Sequence, residues 1–327
     1  MMHRRRLIGL LGGAAAWPLA ASAQQSGRVY RIGLVMGTNT PVFAPARAAF
    51  IDEMTKAGLV EGRHYTLDAQ SNQVDSQALL SIMASLADAK VDVIIAGGTE
   101  QTLRAAVAAA PSIPIVMWAN NFDPIAGGYV KSLAQPGGNV TGIFTRQPEI
   151  AEKQVELLKE IFPQYRRHAV LWDSQTTDQF DAAARRAQLL GLEVSSHKLE
   201  KMPYDIAGAV RAVTSAGAQM VQVASGPNIG TFQPQIVDEL NRLRLPAMYI
   251  FKSYVDRGGL VSYGIEIPSS FRRIAGLVVR IIKGARPADL PIEQPTTFEL
   301  AVNLKTAKAI GVEIPTSILL RADHVLE

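Results

Sequence analysis

The chain has 327 residues, no cysteine, and 33 basic against 29 acidic residues. Its length exceeds what one hydrophobic core usually supports, so we expect two domains. A chain without cysteine forms no disulfide and no thiol-ligated metal site.

The N-terminus predicts an export signal over residues 1–23, because three arginines precede a mostly apolar stretch that ends in "ASA" before Gln24. The apolar part is too short and too rich in Gly and Ala for a membrane span. Without Arg4, Arg5 and Arg6, 30 basic residues face 29 acidic ones, a net charge of +1. This balance argues against nucleic-acid binding. We expect cleavage near Ala23 and a soluble periplasmic protein; an uncleaved amphipathic N-terminus is the alternative.

Strand-like apolar runs then alternate with helical patterns. The runs "RVYRIGLVMG" (28–37), "VDVIIAGG" (91–98) and "IPIVMW" (113–118) predict buried strands. Apolar residues at helical spacing over 41–59 and 76–89 predict helices between them. This alternation indicates βαβ units and a parallel sheet.

The same rhythm restarts after residue 145, with a predicted helix over 149–162 and a predicted strand over 168–173. We therefore predict an α/β fold of two Rossmann-like lobes with parallel sheets joined by a hinge. The predicted boundaries are 24–145 for lobe 1, with 266–290 returning to it, and 146–265 for lobe 2, with 291–327. The crossings between lobes are expected near 143–149, 262–268 and 291–298.

A polar loop, "NNFDP", follows the predicted strand 113–118. Open parallel sheets bind ligands beyond the carboxyl ends of their strands, so this loop is a candidate for a cleft between the lobes. Asp123 is a suitable N-cap and Pro124 a suitable first helical residue, which predicts a short helix over "IAGGYVKSLA" (125–134). Helix capping alone explains Asp123, and a ligand contact is compatible with it.

Several segments carry a family resemblance, and they follow one another in order over almost the whole mature chain. They resemble the ABC-transporter substrate-binding proteins of the tryptophan/tyrosine-type uptake family, which are two-lobed periplasmic binding proteins of the type I class. The resembling segments include "VDVIIAGGT", "DPIAGGYVKSLAQPGGNVTG", "KQVELLKEIFP", "AVLWD", "RLPAMYIFKSYVDRGGLVSYG" and "IIKGARPADLPIEQPTTFELAVNLKTAKAIG".

The resemblance implies a monomeric, extracytoplasmic solute-binding component of an ABC importer. It would capture an aromatic amino acid, or a related aromatic or carboxylated compound, between its lobes. It would then present the closed form to a membrane permease with a cytoplasmic ATPase. No cofactor is implied. The ligand-binding positions carried over from the resemblance are Thr38, Asn39, Thr40, Gly98, Thr99, Glu100, Asn121, Asp123, Ser174, Ser225, Asn228, Phe251 and Tyr263. Arg146 departs from the family's usual pattern, and it is a further candidate because its planar guanidinium can pair with a ligand carboxylate at the first crossing. Plain turn chemistry is the alternative for the Gly-rich loops, packing for Phe251 and Tyr263, and an exposed pair with Glu149 for Arg146.

An enzyme and a ligand sensor module are the alternative functions. HExxH, CxxC, GxSxG and GxGxxG motifs are all absent from the sequence, and its five histidines show no ligand spacing, so we predict no catalytic residue and no metal site. Effector domains of repressors share a two-lobed fold. The export signal and the lack of a DNA-binding headpiece argue against that use, although fold alone does not decide it.

Overall fold

The computed structural model describes residues 28–72, 74–120 and 122–327. The predicted export signal and the candidate Asn121 lie outside these residues. The described residues form two α/β sheets, so the predicted fold class is confirmed. In this part of the chain no helix has the length and apolar character that crossing a membrane requires.

The first sheet has five strands, all parallel, in the order β2-β1-β3-β4-β5. Its central strands carry apolar residues on both faces and are buried, because helices cover the sheet on both sides. The strands are β1 (Tyr30–Met36), β2 (Tyr65–Ser71), β3 (Val93–Gly98), β4 (Ile115–Ala119) and β5 (Val140–Phe144), with helices α1 (Phe43–Lys56), α2 (Ser76–Asp88) and α3 (Glu100–Ala109) between them.

The second sheet has seven strands in the order β12-β11-β10-β9-β8-β6-β7. All of its pairs are parallel except β10 with β11, which is antiparallel, so one pair departs from the predicted parallel sheet. Its elements are α4 (Gln147–Ile161), β6 (Arg167–Asp173), α5 (Thr177–Leu189), β7 (Glu193–Leu199), α6 (Ile206–Ser215), β8 (Met220–Val223), α7 (Pro227–Thr231), α8 (Gln233–Arg242), β9 (Ala247–Tyr249), α9 (Lys252–Asp256), β10 (Val261–Ile265), β11 (Phe298–Asn303), α11 (Leu304–Ile310), α12 (Thr316–Leu319) and β12 (His324–Leu326).

The chain crosses between the sheets three times. It first passes from β5 into α4, and it then returns from β10 through α10 (Ile267–Ile282), which packs against α1. The segment around Glu293 pairs with the edge strand β5, since its N–H donates to the carbonyl of Gly142 at 2.9 Å and its carbonyl accepts from Phe144 at 2.9 Å. The third crossing therefore lies between Glu293 and β11.

One predicted helix differs from the structure. The segment 125–134 forms turns rather than a helix, so that prediction was wrong. Gly127 and Gly128 lie in its first turn, and Gly128 has a φ of 73°, which ends any helical continuation.

A chain of buried side chains links the first crossing helix to the second sheet. Gln154 of α4 donates to the carbonyl of Tyr263 at 2.7 Å, and its Oε1 accepts from Gln222 at 2.8 Å. The ring of His168 lies 3.3 Å from Oε1 of Gln222. Because His168 is fully buried, its neutral form is favoured, and burial lowers its pKa to about 4.

We expect acid to destabilise the fold through His168. The histidine takes up a proton near pH 6.5 when unfolded but only near pH 4 when folded. The stability that neutral His168 contributes is therefore complete above pH 6.5 and is lost as the pH falls toward 4, by about 3 kcal/mol. Urea unfolding of the wild-type protein and His168→Asn from pH 7.5 to 4 measures this difference. Parallel pH dependences of the two proteins would contradict it.

Candidate functional site

Loops from both sheets meet at one cavity. The first sheet contributes the loops after β1, β2, β3 and β4, and the second sheet those after β8 and β9. The cavity has a volume of about 100 Å³. A buried water needs roughly 10–15 Å³ of cavity volume, so this cavity has room for a small solute. Its lining residues are Met36, Gly37, Thr40, Pro41, Val42, Asn72, Gly97, Gly98, Thr99, Trp118, Asn120, Ser225, Gly226, Pro227, Gly230, Gln233, Phe251, Ser253 and Tyr254.

Asn72 organises the side of the cavity that the first sheet forms. Its Nδ2 donates to the carbonyl of Gly97 at 2.9 Å and to Oγ1 of Thr102 at 3.0 Å, so the loop after β2 is tied to the loop after β3. Thr99 caps α3 by accepting from the N–H of Thr102 at 3.2 Å. A Cβ at Gly97 would lie 2.9 Å from the Cβ of Met36, so glycine permits the close approach of β1 and β3 here.

Aromatic side chains from both sheets line the cavity. Trp118 of β4 is 4% exposed and meets the ring of Phe271 edge-on, with 5.3 Å between ring centroids. Its Nε1–H has no hydrogen-bond partner among the described residues. Phe251, after β9, packs against the cores of both sheets, and Tyr254 stacks on Tyr249 at 4.8 Å. The cavity therefore offers flat apolar surfaces.

Loops of the second sheet form the opposite side of the cavity, and hydrogen bonds hold the backbone of the loop after β8 in place. Gln179 holds Ser225 in place through both of its amide atoms, at 2.9 Å to the carbonyl and 2.8 Å to the N–H. Behind Gly226 lies the buried carboxylate of Asp173, which accepts from the hydroxyls of Tyr204 at 2.9 Å and Thr176 at 3.1 Å. Burial, together with Asp173, raises the pKa of Tyr204 to about 12.

Five of the predicted site residues line this cavity, namely Thr40, Gly98, Thr99, Ser225 and Phe251. Eight others lie elsewhere, and Asn121 falls outside the described residues. Among the eight, Thr38 and Asn39 belong to the turn after β1, and Ser174 is exposed at the end of β6. Asn228 hydrogen-bonds to Tyr204.

The charged residues among the predicted ligand-binding positions bond to other residues of the protein. Glu100 accepts from Arg104 and from the hydroxyl of Tyr129, both at 2.9 Å. Asp123 accepts from the N–H groups of residues 125 and 126, as a turn cap does. Arg146 pairs with Glu149 at 2.7 Å, and the carboxylate of Glu149 raises the pKa of Arg146. The structure thus gives Arg146 the exposed pairing that was its alternative interpretation.

Tyr263 lies at the crossings rather than in the cavity. Its ring stacks on Phe298 with 6.0 Å between centroids, in a separate pocket formed partly by residues 294–298. Asp123 and Arg146 line another pocket, which adjoins the cavity at Asn120. In the described part of the chain, no group of three or more His, Cys, Asp or Glu residues could hold a metal ion.

Sequence reasoning missed several lining residues. Asn72 directly follows β2, and Gln233 and Ser253 lie in the first turns of α8 and α9. The only available signal was their place after a strand or at a helix start, which many surface residues share. Gln233 is buried and its Nε2 lies 3.4 Å from Oγ of Ser253, a pairing that only the tertiary structure reveals.

Comparison with known proteins gives a match to the family described as ABC transporter substrate binding protein over residues 32–326. The chain is 26% identical over 287 residues to a tyrosine-binding protein of Clostridioides difficile (strain R20291), covering 86% of this chain and 81% of the relative. A conserved domain protein of Vibrio cholerae superposes with a TM-score of 0.83, at 24% identity, over 91% of this chain and all of that one. A Streptococcus pneumonia ABC domain in complex with L-Trp superposes with a TM-score of 0.82, at 25% identity and the same coverage.

Removal of the Asn72 side chain tests its role in the cavity wall. Asn72→Ala leaves the Gly97 carbonyl and the Thr102 hydroxyl without this donor, so we expect the free energy of unfolding to fall by about 1–2 kcal/mol. Gln70→Ala is the matched control. Among the described residues the Gln70 side chain donates to Asp68 on the exposed face, so its removal should cost less than about 0.5 kcal/mol. Equal losses in urea unfolding would show that Asn72 does not tie the two loops.

Proposed function

Because the chain belongs to the ABC transporter substrate binding protein family, we propose that it is the extracytoplasmic solute-binding component of an ABC importer. It captures a small aromatic solute in the cavity between its two sheets and presents it to a membrane permease with a cytoplasmic ATPase. The observation that carries the proposal is a single cavity lined by Trp118 from one sheet and Phe251 from the other.

The arrangement of the cavity supports capture by closure. A ligand that touches loops of both sheets gains contacts only when the lobes are closed, so it stabilises the closed form. Three chain crossings join the sheets, and short connecting segments of this kind can serve as a hinge. The packing of α10 on α1 supports the proposed return of residues 266–290 to the first lobe.

The lining supports an aromatic ligand. Three aromatic side chains surround the space, together with amide and hydroxyl groups such as those of Asn72, Thr99 and Gln233. Such a set binds a flat apolar body and orients it through a few hydrogen bonds. The tyrosine-binding relative and the neighbour in complex with L-Trp make aromatic amino acids the first ligands to test.

The proposed setting is the periplasm, and the proposed working form is a monomer. The protein is exported, its leader is removed near Ala23, and its partners are the small-molecule ligand, the permease and the ATPase. No catalytic step and no cofactor belong to this mechanism. The family's substrate-binding character supports this.

Thermal-shift screening of the mature chain from Gln24, followed by calorimetric titration, tests the proposal. A ligand at one hundred times its dissociation constant should stabilise the protein by about 2.7 kcal/mol. Phe251→Ala removes one wall of the cavity and should weaken the binding of L-tryptophan or L-tyrosine by roughly ten- to a hundredfold.

Phe180→Ala is the matched control for this variant. Phe180 stacks on Trp172 at 4.6 Å and does not line the cavity, so its removal should leave affinity within about twofold. Absence of binding by any aromatic solute, or equal losses in the two variants, would count against the proposed function.

A further inference from the structure

The carboxylate of Asp173 lies at the end of β6, behind the cavity wall that the second sheet forms. Asp173 is fully buried, and it is not one of the residues that line the cavity. Gly226 does line the cavity, and a Cβ added to it would lie 3.5 Å from one carboxylate oxygen of Asp173 and 3.6 Å from the other. The lining loop after β8 therefore packs directly against a buried anion.

Three hydrogen bonds satisfy this carboxylate. Its Oδ2 accepts from the hydroxyl of Tyr204 at 2.9 Å. Its Oδ1 accepts from the hydroxyl of Thr176 at 3.1 Å and from the N–H of Gln175 at 3.0 Å. Burial of a carboxylate is costly in free energy, and hydrogen bonds to a charged acceptor are strong enough to offset much of that cost.

The network joins three loops of the second sheet. Gln175 and Thr176 follow β6, whereas Tyr204 follows β7. The hydroxyl of Tyr204 is also hydrogen-bonded to Asn228 of α7, which follows β8. Because β6, β7 and β8 are parallel, their loops leave the sheet at the same edge, and Asp173 holds these loops together there.

Tyr204 extends the network to a second lining residue. Its ring packs on that of Phe232, with 5.3 Å between ring centroids, and Phe232 immediately precedes Gln233, which lines the cavity. One buried anion thus supports the wall both at Gly226 and next to Gln233. Asparagine would not replace Asp173 in this role, because its amide has only one oxygen acceptor and its NH2 group would face a hydroxyl or an N–H donor.

We propose that Asp173 is a positioning residue for ligand binding, which holds the loops of the second sheet in the arrangement that the ligand meets. This inference rests on the proposed function. A wall that is already ordered loses less conformational entropy when the ligand binds, so a side chain outside the cavity can raise the affinity. The buried charge is thereby a requirement of the binding site rather than of the core.

Two variants remove the two ends of one hydrogen bond. Calorimetric titration of the mature protein with L-tryptophan and L-tyrosine should give dissociation constants about tenfold higher in Asp173→Asn and about three- to tenfold higher in Tyr204→Phe. Tyr129→Phe is the matched control, because the Tyr129 hydroxyl also donates to a carboxylate at 2.9 Å, that of Glu100, and neither residue lines the cavity. Its dissociation constants should stay within about twofold of the wild type.

Val213→Ala separates positioning from stability. Val213 is fully buried in α6 and does not line the cavity, so its truncation lowers the urea midpoint of unfolding. It should nevertheless leave the dissociation constants within about twofold of the wild type. A loss of affinity in Val213→Ala as large as that in Asp173→Asn would show that lower stability alone explains the effect, and the proposal would be overturned.

Hydrogen exchange in the absence of ligand tests the positioning itself. Amide protons of residues 224–230 should exchange about tenfold faster in Asp173→Asn and in Tyr204→Phe than in the wild type, while those of β6 and β8 keep their rates. Unchanged exchange over 224–230 in both variants would overturn the proposal. If the wild-type protein binds no aromatic solute, the proposed function fails, and the exchange rates still decide whether Asp173 orders these loops.

Discussion

Parallel strand pairing is the constraint on which the binding region depends. In a parallel sheet all strands end at one edge, so the chain after Met36, Gly98 and Ala119 emerges side by side although these residues are far apart in sequence. The loops after β8 and β9 do the same in the second sheet. The cavity is thus built from six loops, none of which contains enough lining residues to form it alone.

The three chain crossings bring the loop-bearing edges of the two sheets together at one site. The first crossing follows β5, and α4 begins directly after it. Gln154 fixes this helix to the carbonyl of Tyr263, which lies in the strand that leads to the second crossing. Because buried hydrogen bonds of this kind are costly to leave unmade, the two crossings are held in a defined relation. The pocket that Asp123 and Arg146 line therefore lies next to the segments that must bend when the lobes move.

Local sequence signals predicted the strands and most of the helices. They did not predict side-chain contacts between residues that are far apart in the sequence. Runs such as Val93–Gly98 are apolar on both faces, which is typical of buried parallel strands, and Thr99 is a recognisable N-cap. The pairing of Arg146 with Glu149 is also local, since three residues separate them. By contrast, the ties of Asn72 to Gly97 and of Gln147 to Asn120 span about 25 residues or more, and no periodicity encodes them. The helix expected over 125–134 failed because Asp123 and Pro124 signal a start, whereas Gly127 and Gly128 prevent its continuation.

Separation of the uncharged cavity from the charged pocket has a physical reason. Every described side chain that lines the cavity is uncharged, while carboxylates line the adjoining pocket. Closure of the lobes removes water from the enclosed side chains, and desolvation of an unpaired charge costs far more than that of an amide or hydroxyl. A neutral lining keeps closure inexpensive in free energy, so differential contacts with the ligand can decide whether the closed form is populated.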